Sequence, residues 1–163
     1  MSLVPVTCAG WLRSWRCSST SPRPHRAYFG EKDYQQLKVV ERLARNLFFG
    51  VEVISCPTVR ESDGLALSSR NVNLTPEERE AAPAIYRALR AAADLARGGE
   101  RDAARLVDAM LRVFEEQPLV DIQYAAIVDA ETLASLDTLD GPPARALMAA
   151  RLGETRLIDN MRI

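Results

Sequence analysis

Leu37, Val40, Leu43, Ala44 and Leu47 recur at intervals of three and four residues. That spacing places them on one face of a helix and predicts a helix from Asp33 to about Leu47. Asp33 suits the N-cap, and Gln36 supplies the reciprocal half of a capping box. Ala27-Tyr28-Phe29 reads as a short strand ending at Gly30. Phe49-Gly50 ends the helix, and Val51, Val53 and Ile54 read as a buried strand stopped by Pro57. Strand, helix and strand with short connections make a βαβ unit, whose strands run parallel. Two parallel strands are too few to form a stable sheet alone.

Thr58 to Asn73 reads as a loop, with Gly64 as its positive-φ point. Thr75, Pro76 and Glu78 then spell a helix start: cap, first-turn proline and capping box. Pro83 lies inside the helical stretch and is expected to kink or split it before Gly98-Gly99 ends it. Leu106, Ala109, Met110, Val113 and Phe114 form one stripe of a second helix from about Arg101 to Glu116. Asp121 to Val128 reads as a strand, Ala144 to Leu152 as another, and Thr155 to Asp159 or beyond as a third. Gly153-Glu154 closes the last two into a hairpin. Residues 75–163 are therefore predicted to form an α+β domain with a small antiparallel sheet, and residues 25–73 an α/β unit. Residues 1–24, with Trp11, Trp15 and a Ser/Arg/Pro-rich run, follow neither period. They are expected to be poorly ordered or to form a small apolar flap.

Composition narrows the function classes. The 21 basic and 22 acidic residues nearly cancel, so no global field draws the chain to nucleic acid or a membrane surface, and phosphate recognition must be local. The 3 cysteines show no Cys-x-x-Cys spacing, which argues against a zinc site or disulfide framework and fits a reducing cytoplasm. No apolar run approaches the roughly 20 residues of a membrane helix. The N-terminus lacks the apolar core of a signal peptide.

Two runs concentrate candidate chemistry: Phe29-Gly30-Glu31-Lys32-Asp33-Tyr34-Gln35-Gln36 and Gly64-Leu65-Ala66-Leu67-Ser68-Ser69-Arg70-Asn71. Gly30 stands where a parallel strand gives way to a helix, the edge at which open α/β sheets bind ligands. Free amides at the helix start favour anions, and Lys32 adds a mobile cation. Asp33 can accept from a hydroxyl, and Gln36 can donate and accept. Ser68, Ser69 and Arg70 offer two hydroxyls and a five-donor cation suited to a polyphosphate. The same residues also suit a capped surface helix with a solvated lysine and a polar loop with self-capping serines. His25, the sole histidine, reads as a surface residue. Asp159-Asn160 reads as polarity at a strand end, and Arg87, Arg90, Arg97, Arg101, Arg105 and Arg112 as a solvated helical face.

Together the runs, with Pro57-Thr58-Val59-Arg60-Glu61-Ser62-Asp63 between them and Leu74-Thr75-Pro76-Glu77-Glu78-Arg79 after them, closely resemble the pantoate–β-alanine ligase family. The resemblance extends more loosely to Arg156-Leu157-Ile158-Asp159-Asn160. It implies an ATP-dependent, cytoplasmic condensation of pantoate with β-alanine through a pantoyl adenylate, with Mg2+ carried on the ATP phosphates and a homodimeric assembly. By resemblance Gly30, Glu31 and Asp33 lie along the ATP, the glycine and aspartate on its ribose, and Lys32 faces the phosphates. Gln36 binds pantoate, and Val59 meets adenine through its backbone. Leu67, Ser68, Ser69 and Arg70 form a mobile loop over the triphosphate. Lys32, Ser68, Ser69 and Arg70 carry the catalytic role. Family members begin with a Rossmann-like domain bearing a Met-Gly-x-x-His-x-Gly-His loop and an early glutamine, and neither stands in this sequence. Residues 25–73 are thus expected to be a remnant of a Rossmann-like nucleotidyltransferase domain, and the chain alone to show little or no activity. The alternative is a non-catalytic ATP-binding half-site or assembly module.

Overall fold

The structure is a computed structural model that describes residues 25–163, so the expectation for residues 1–24 lies outside the described residues. Strand β1 (Arg26–Gly30) leads through a turn to helix α1 (Tyr34–Asn46) and back to β2 (Glu52–Cys56). The strands pair in parallel, from Arg26 with Glu52 to Gly30 with Cys56. Asp33 caps α1 by accepting from the Gln36 amide at 3.0 Å, and the reciprocal half of the expected capping box is not formed.

The helix ends differently from the expectation. The Phe49 N–H reaches Ala44 O at 3.1 Å and the Phe48 N–H reaches Arg45 O at 3.4 Å, the paired bonds of a Schellman turn. The left-handed residue is Phe48, at φ 51°, where glycine is usual, and Gly50 comes two positions later at φ 59°. Leu37 and Ala44 of the predicted stripe are buried, but Leu47 is half exposed, because the chain has already turned off the helix axis there.

The expected loop after β2 contains a 3-10 turn, Ser69–Asn73, which its short polar sequence does not announce. Helix α2 (Pro76–Ala81) has both halves of the Thr75/Glu78 capping box. Pro83 splits the helical stretch as expected, and α3 (Ala84–Arg97) comes next. Helix α4 (Ala103–Arg112) is capped by Asp102, whose carboxylate accepts from the Ala104 and Arg105 amides. It stops short of the predicted Glu116. Pro118 disfavours helix at Gln117, and a turn there, Val120 N–H to Gln117 O at 3.0 Å, aims the chain into the sheet.

Strands β3 (Val120–Asp129), β4 (Ala144–Leu152) and β5 (Thr155–Arg162) form an antiparallel sheet in the order β3-β4-β5. Strand periodicity assigns its two faces. Ile127, Ala146, Met148, Ala150 and Leu157 pack with Ile85, Leu89, Leu106 and Met110 from α3 and α4. Val128 and Leu147, one residue out of step, pack with Tyr34 and Leu37 of α1, with Phe29 and Val53 of the parallel pair against them. Covered on both sides, β4 is apolar without a break from Ala146 to Ala150.

The α1 side is also pinned by polar contacts. The Tyr34 hydroxyl donates to Ala130 O at 2.8 Å. Lys38 bridges Glu41 and Glu131 at 2.9 and 2.8 Å. Burial opposes the Lys38 charge, but the hydrogen bonds to Glu131 and then Glu41 outweigh it and hold its ammonium above the ordinary lysine range.

Candidate functional site

Gly30 ends β1, and the Glu31 amide donates to Cys56 O at 2.8 Å, extending the parallel ladder by one bond. The chain must then turn through Glu31, Lys32 and Asp33 before α1 begins. Glu31, Lys32, Asp33 and Gln36 are half-buried, while Gly30 is exposed, open to a close approach by a ligand.

The second run is presented on a braced loop. Arg60 and Ala66 form a bridge across a tight turn. Inside it the Glu61 N–H bonds Leu65 O at 2.8 Å, the Gly64 N–H bonds Glu61 O at 2.9 Å, and the Leu65 N–H bonds the Asp63 carboxylate at 3.0 Å. Arg79 of α2 clamps Glu61 and Asp63, each at 2.6 Å. Asn71 donates to Glu61 at 3.0 Å and to Ala66 O at 3.2 Å. Above this base Leu67, Ser69 and Arg70 are exposed and Ser68 half-buried. The Ser68 hydroxyl accepts from the Arg70 amide at 3.2 Å. Val59 is exposed, and its carbonyl accepts from the Leu67 N–H at 2.9 Å. Arg70 borders a shallow polar cavity of about 290 Å³ with Asn73, Glu154, Thr155 and Arg156.

The hydrogen bonds from Arg79 hold the Glu61 and Asp63 carboxyls below their ordinary values of 4.5 and 3.8. A carboxylate with a depressed folded pKa adds stability above its unfolded pKa and loses it as pH falls through the folded one. Thermal melts of Arg79→Ala against the parent should therefore differ at neutral pH and converge as pH drops below about 4. A difference that persists undiminished at pH 2 would show that the clamp is not electrostatic.

The two runs lie within electrostatic reach of each other. Burial lowers the Lys32 ammonium below its ordinary value of 10.5, and the neighbouring charges of Arg70 and Arg60 push it further down. Asp159 and Asp33 partly offset them. Three cations and two carboxylates thus act on one another around Lys32, and the half-buried ammonium and the exposed Arg70 could each take an anionic ligand.

The residues that hold the runs together were not among the candidates. Asp159 and Asn160 are not strand-end polarity: both are about 5% exposed and sit inside β5. Arg60 meets the Asp159 carboxylate through both of its Nη atoms, at 2.5 and 3.0 Å, and also donates to Gly64 O at 3.0 Å. Its guanidinium lies 4.5 Å over the Tyr86 ring. Arg145 bonds Asn160 Oδ1 at 2.5 Å and Glu31 at 3.2 Å, and stacks 3.7 Å over Tyr34. The signal in the sequence is a charged and an amide residue side by side inside the apolar stretch Leu157 to Met161. His25 and the helical arginines Arg87, Arg90, Arg97, Arg101, Arg105 and Arg112 are exposed, as expected. Among the described residues no group of three or more His, Cys, Asp or Glu could hold a metal ion.

The family described as pantoate-beta-alanine ligase matches residues 20–162. A pantothenate synthetase from Rubrobacter xylanophilus is 69% identical over 137 residues, which cover 84% of this chain and 47% of that protein. The crystal structure of pantothenate synthetase from Thermus thermophilus superposes with a TM-score of 0.85 at 49% identity, covering 91% of this chain and 52% of its own. A pantoate-beta-alanine ligase from Francisella tularensis, complexed with beta-gamma ATP and beta-alanine, superposes with a TM-score of 0.61 at 30% identity, covering 91% and 47%. The chain spans about half the length of the relatives it matches.

Proposed function

This chain belongs to the pantoate–β-alanine ligase family, and on that premise we propose that it forms the ATP-facing part of an enzyme that joins pantoate to β-alanine. The observation that carries the proposal is that Asp159 and Asn160, neighbours in β5, tie the Gly64 turn and the Glu31–Lys32 turn to one stretch of strand, which brings Lys32 within electrostatic reach of Arg70. The beta-gamma ATP and beta-alanine in the complex of the Francisella relative support it. In the first step the pantoate carboxylate attacks the α-phosphorus, forming the acyl phosphate bond and expelling pyrophosphate. In the second the β-alanine amine attacks the acyl carbon, loses a proton and expels AMP. Both steps build negative charge on phosphate oxygens, and fixed cations lower that barrier more than they stabilise the ground state.

Lys32 and Arg70 neutralise that charge, with the Ser68 and Ser69 hydroxyls donating to phosphate oxygens. Gly30 and Asp33 meet the ribose, Glu31 completes that edge, Val59 meets adenine through its backbone, and Leu67 belongs with Ser68, Ser69 and Arg70 to the loop over the triphosphate. Gln36, one turn into α1, holds pantoate. Mg2+ would enter on the ATP phosphates and supply Lewis-acid charge. Lys32, Arg70 and the two hydroxyls suit the phosphates that would carry the metal. Residues 25–73 are proposed to be part of a Rossmann-like nucleotide-binding domain and residues 75–163 a separate α+β domain. A cytoplasmic location belongs to the same proposal, in line with 3 cysteines that show no Cys-x-x-Cys spacing.

Calorimetric titration of ATP into the chain tests this. Each charge-assisted contact contributes about 1.5–3 kcal/mol, so Lys32→Ala and Arg70→Ala should each weaken binding by about 10- to 150-fold. Equal ATP affinity in the parent and both variants would sink the proposal. A second function, a half-site that must assemble with further protein, is favoured by one observation. Tyr28 of β1 and Leu47, Phe48 and Phe49 of the turn after α1 are 47–91% exposed, apolar surface of the kind that a partner covers. ATP binding without AMP release, when pantoate and β-alanine are added, selects this second function.

A further inference from the structure

The Asp159-Asn160 dipeptide straddles the antiparallel sheet. Asp159 pairs in register with Met148, on the face covered by α3 and α4, and Asn160 pairs with Leu147, on the face covered by α1. On the first side Asp159 holds Arg60 and, through it, the Gly64 turn that carries the Ser68–Arg70 crest. On the second side the Asn160 amide donates to both Glu31 O and Lys32 O, at 2.8 and 2.9 Å. Its Oδ1 accepts from Arg145. Reversing the amide would set an oxygen against two carbonyls and an NH2 against a guanidinium, so the network admits one orientation. Arg145 is held in turn by Glu31 and by the Tyr34 ring.

A turn between a strand end and a helix start has few ladder bonds of its own. Lys32 sits in that turn, and its carbonyl and that of Glu31 are anchored by a side chain 128 and 129 residues away in sequence. We propose that Asn160 is a positioning residue: it fixes the Glu31–Lys32 backbone so that the Lys32 ammonium is presented to the ligand locus beside Arg70. This rests on the assignment of Lys32 to the nucleotide phosphates. Asn160 acts through the turn it holds, and Lys32 is the member of that turn whose charge reports the effect.

Lys32 and Lys38 are the only lysines of the sequence, and their ammonium groups are shifted in opposite directions. Selective 13C-lysine labelling therefore gives two resonances that can be titrated by NMR in the intact chain. In Asn160→Ala the Lys32 resonance should titrate closer to 10.5, because the released turn exposes it. Lys38, held by Glu131 on the sheet side, should stay high and report that the fold is intact. ATP affinity should fall at least 10-fold in the same variant. A Lys32 titration unchanged from the parent, with Lys38 still high, overturns the positioning role. If both lysines relax in Asn160→Ala, Asn160→Ser decides: it keeps an acceptor for Arg145 but is too short to reach both carbonyls, and the same two resonances are read. A parent chain that binds no ATP overturns the nucleotide assignment on which the proposal rests. The lysine titration separates that failure from a failure of Asn160 to position Lys32.

Discussion

Asp159→Ala is expected to cost about 3–5 kcal/mol of folding free energy, a large part of what a domain this size possesses. The carboxylate is 4% exposed and the Arg60 side chain 19%. Deleting the acid leaves a mostly buried guanidinium without its anion and facing Lys32, whose own charge Asp159 helps to hold. Arg60 also loses its hold on the Gly64 turn, since one guanidinium serves both partners. Urea unfolding should show the midpoint fall with the slope unchanged. The double variant Asp159→Leu/Arg60→Leu should recover part of the loss, because removing both charges avoids the unpaired one. A loss under 1 kcal/mol in the single variant would mean that Arg60 escapes to solvent and the pair does not brace the loop.

Gly64→Ala is the second large effect. Gly64 has φ +93°, and a Cβ there would fall 2.1 Å from Tyr86 Cδ1 and 2.5 Å from Cε1. The left-handed backbone costs a side chain about 1–2 kcal/mol. Forcing a methyl into packed space adds about 1–3 kcal/mol, for a total of about 2–5 kcal/mol. The Tyr86 ring cannot simply swing aside, because Arg60 lies over its face. Differential scanning calorimetry should record the drop in Tm, and Tyr86→Ala in the Gly64→Ala background should return the steric part while leaving the backbone part. If the double variant is no more stable than Gly64→Ala, the ring was never the obstacle.

Both effects fall on contacts that join the loop after β2 to the α+β part of the chain, and neither was evident from local sequence. The elements themselves were legible wherever a cap or a breaker sharpened the period. Thr75-Pro76 with Glu78, Pro83, and the run from Ala144 to Leu152 gave boundaries that agree with the structure. Boundaries blurred where the ending of one element depends on the entry to the next. Helix α4 stops at Arg112 because Pro118 and the entry to β3 reshape its last turn, and α1 ends on Phe48 in a glycine-like conformation. The 3-10 turn at Ser69–Asn73 is held by Ser68 and by Asn71 contacts to Glu61 and Ala66, which no short-range period encodes.

The family, the order and type of the helices and strands, and the two polar runs were determined by the sequence alone, because caps, breakers and side-chain periods are local and a long motif carries its own chemistry. The tertiary structure alone decided how those runs meet. Asp159 and Asn160 are neighbours in the chain, but the alternation of a β-strand sends them to opposite faces of the sheet. Each face carries a different element and so a different run. The partners lie about a hundred residues away in sequence, and the burial that makes their hydrogen bonds obligatory exists only once the sheet, α1 and α3 have packed.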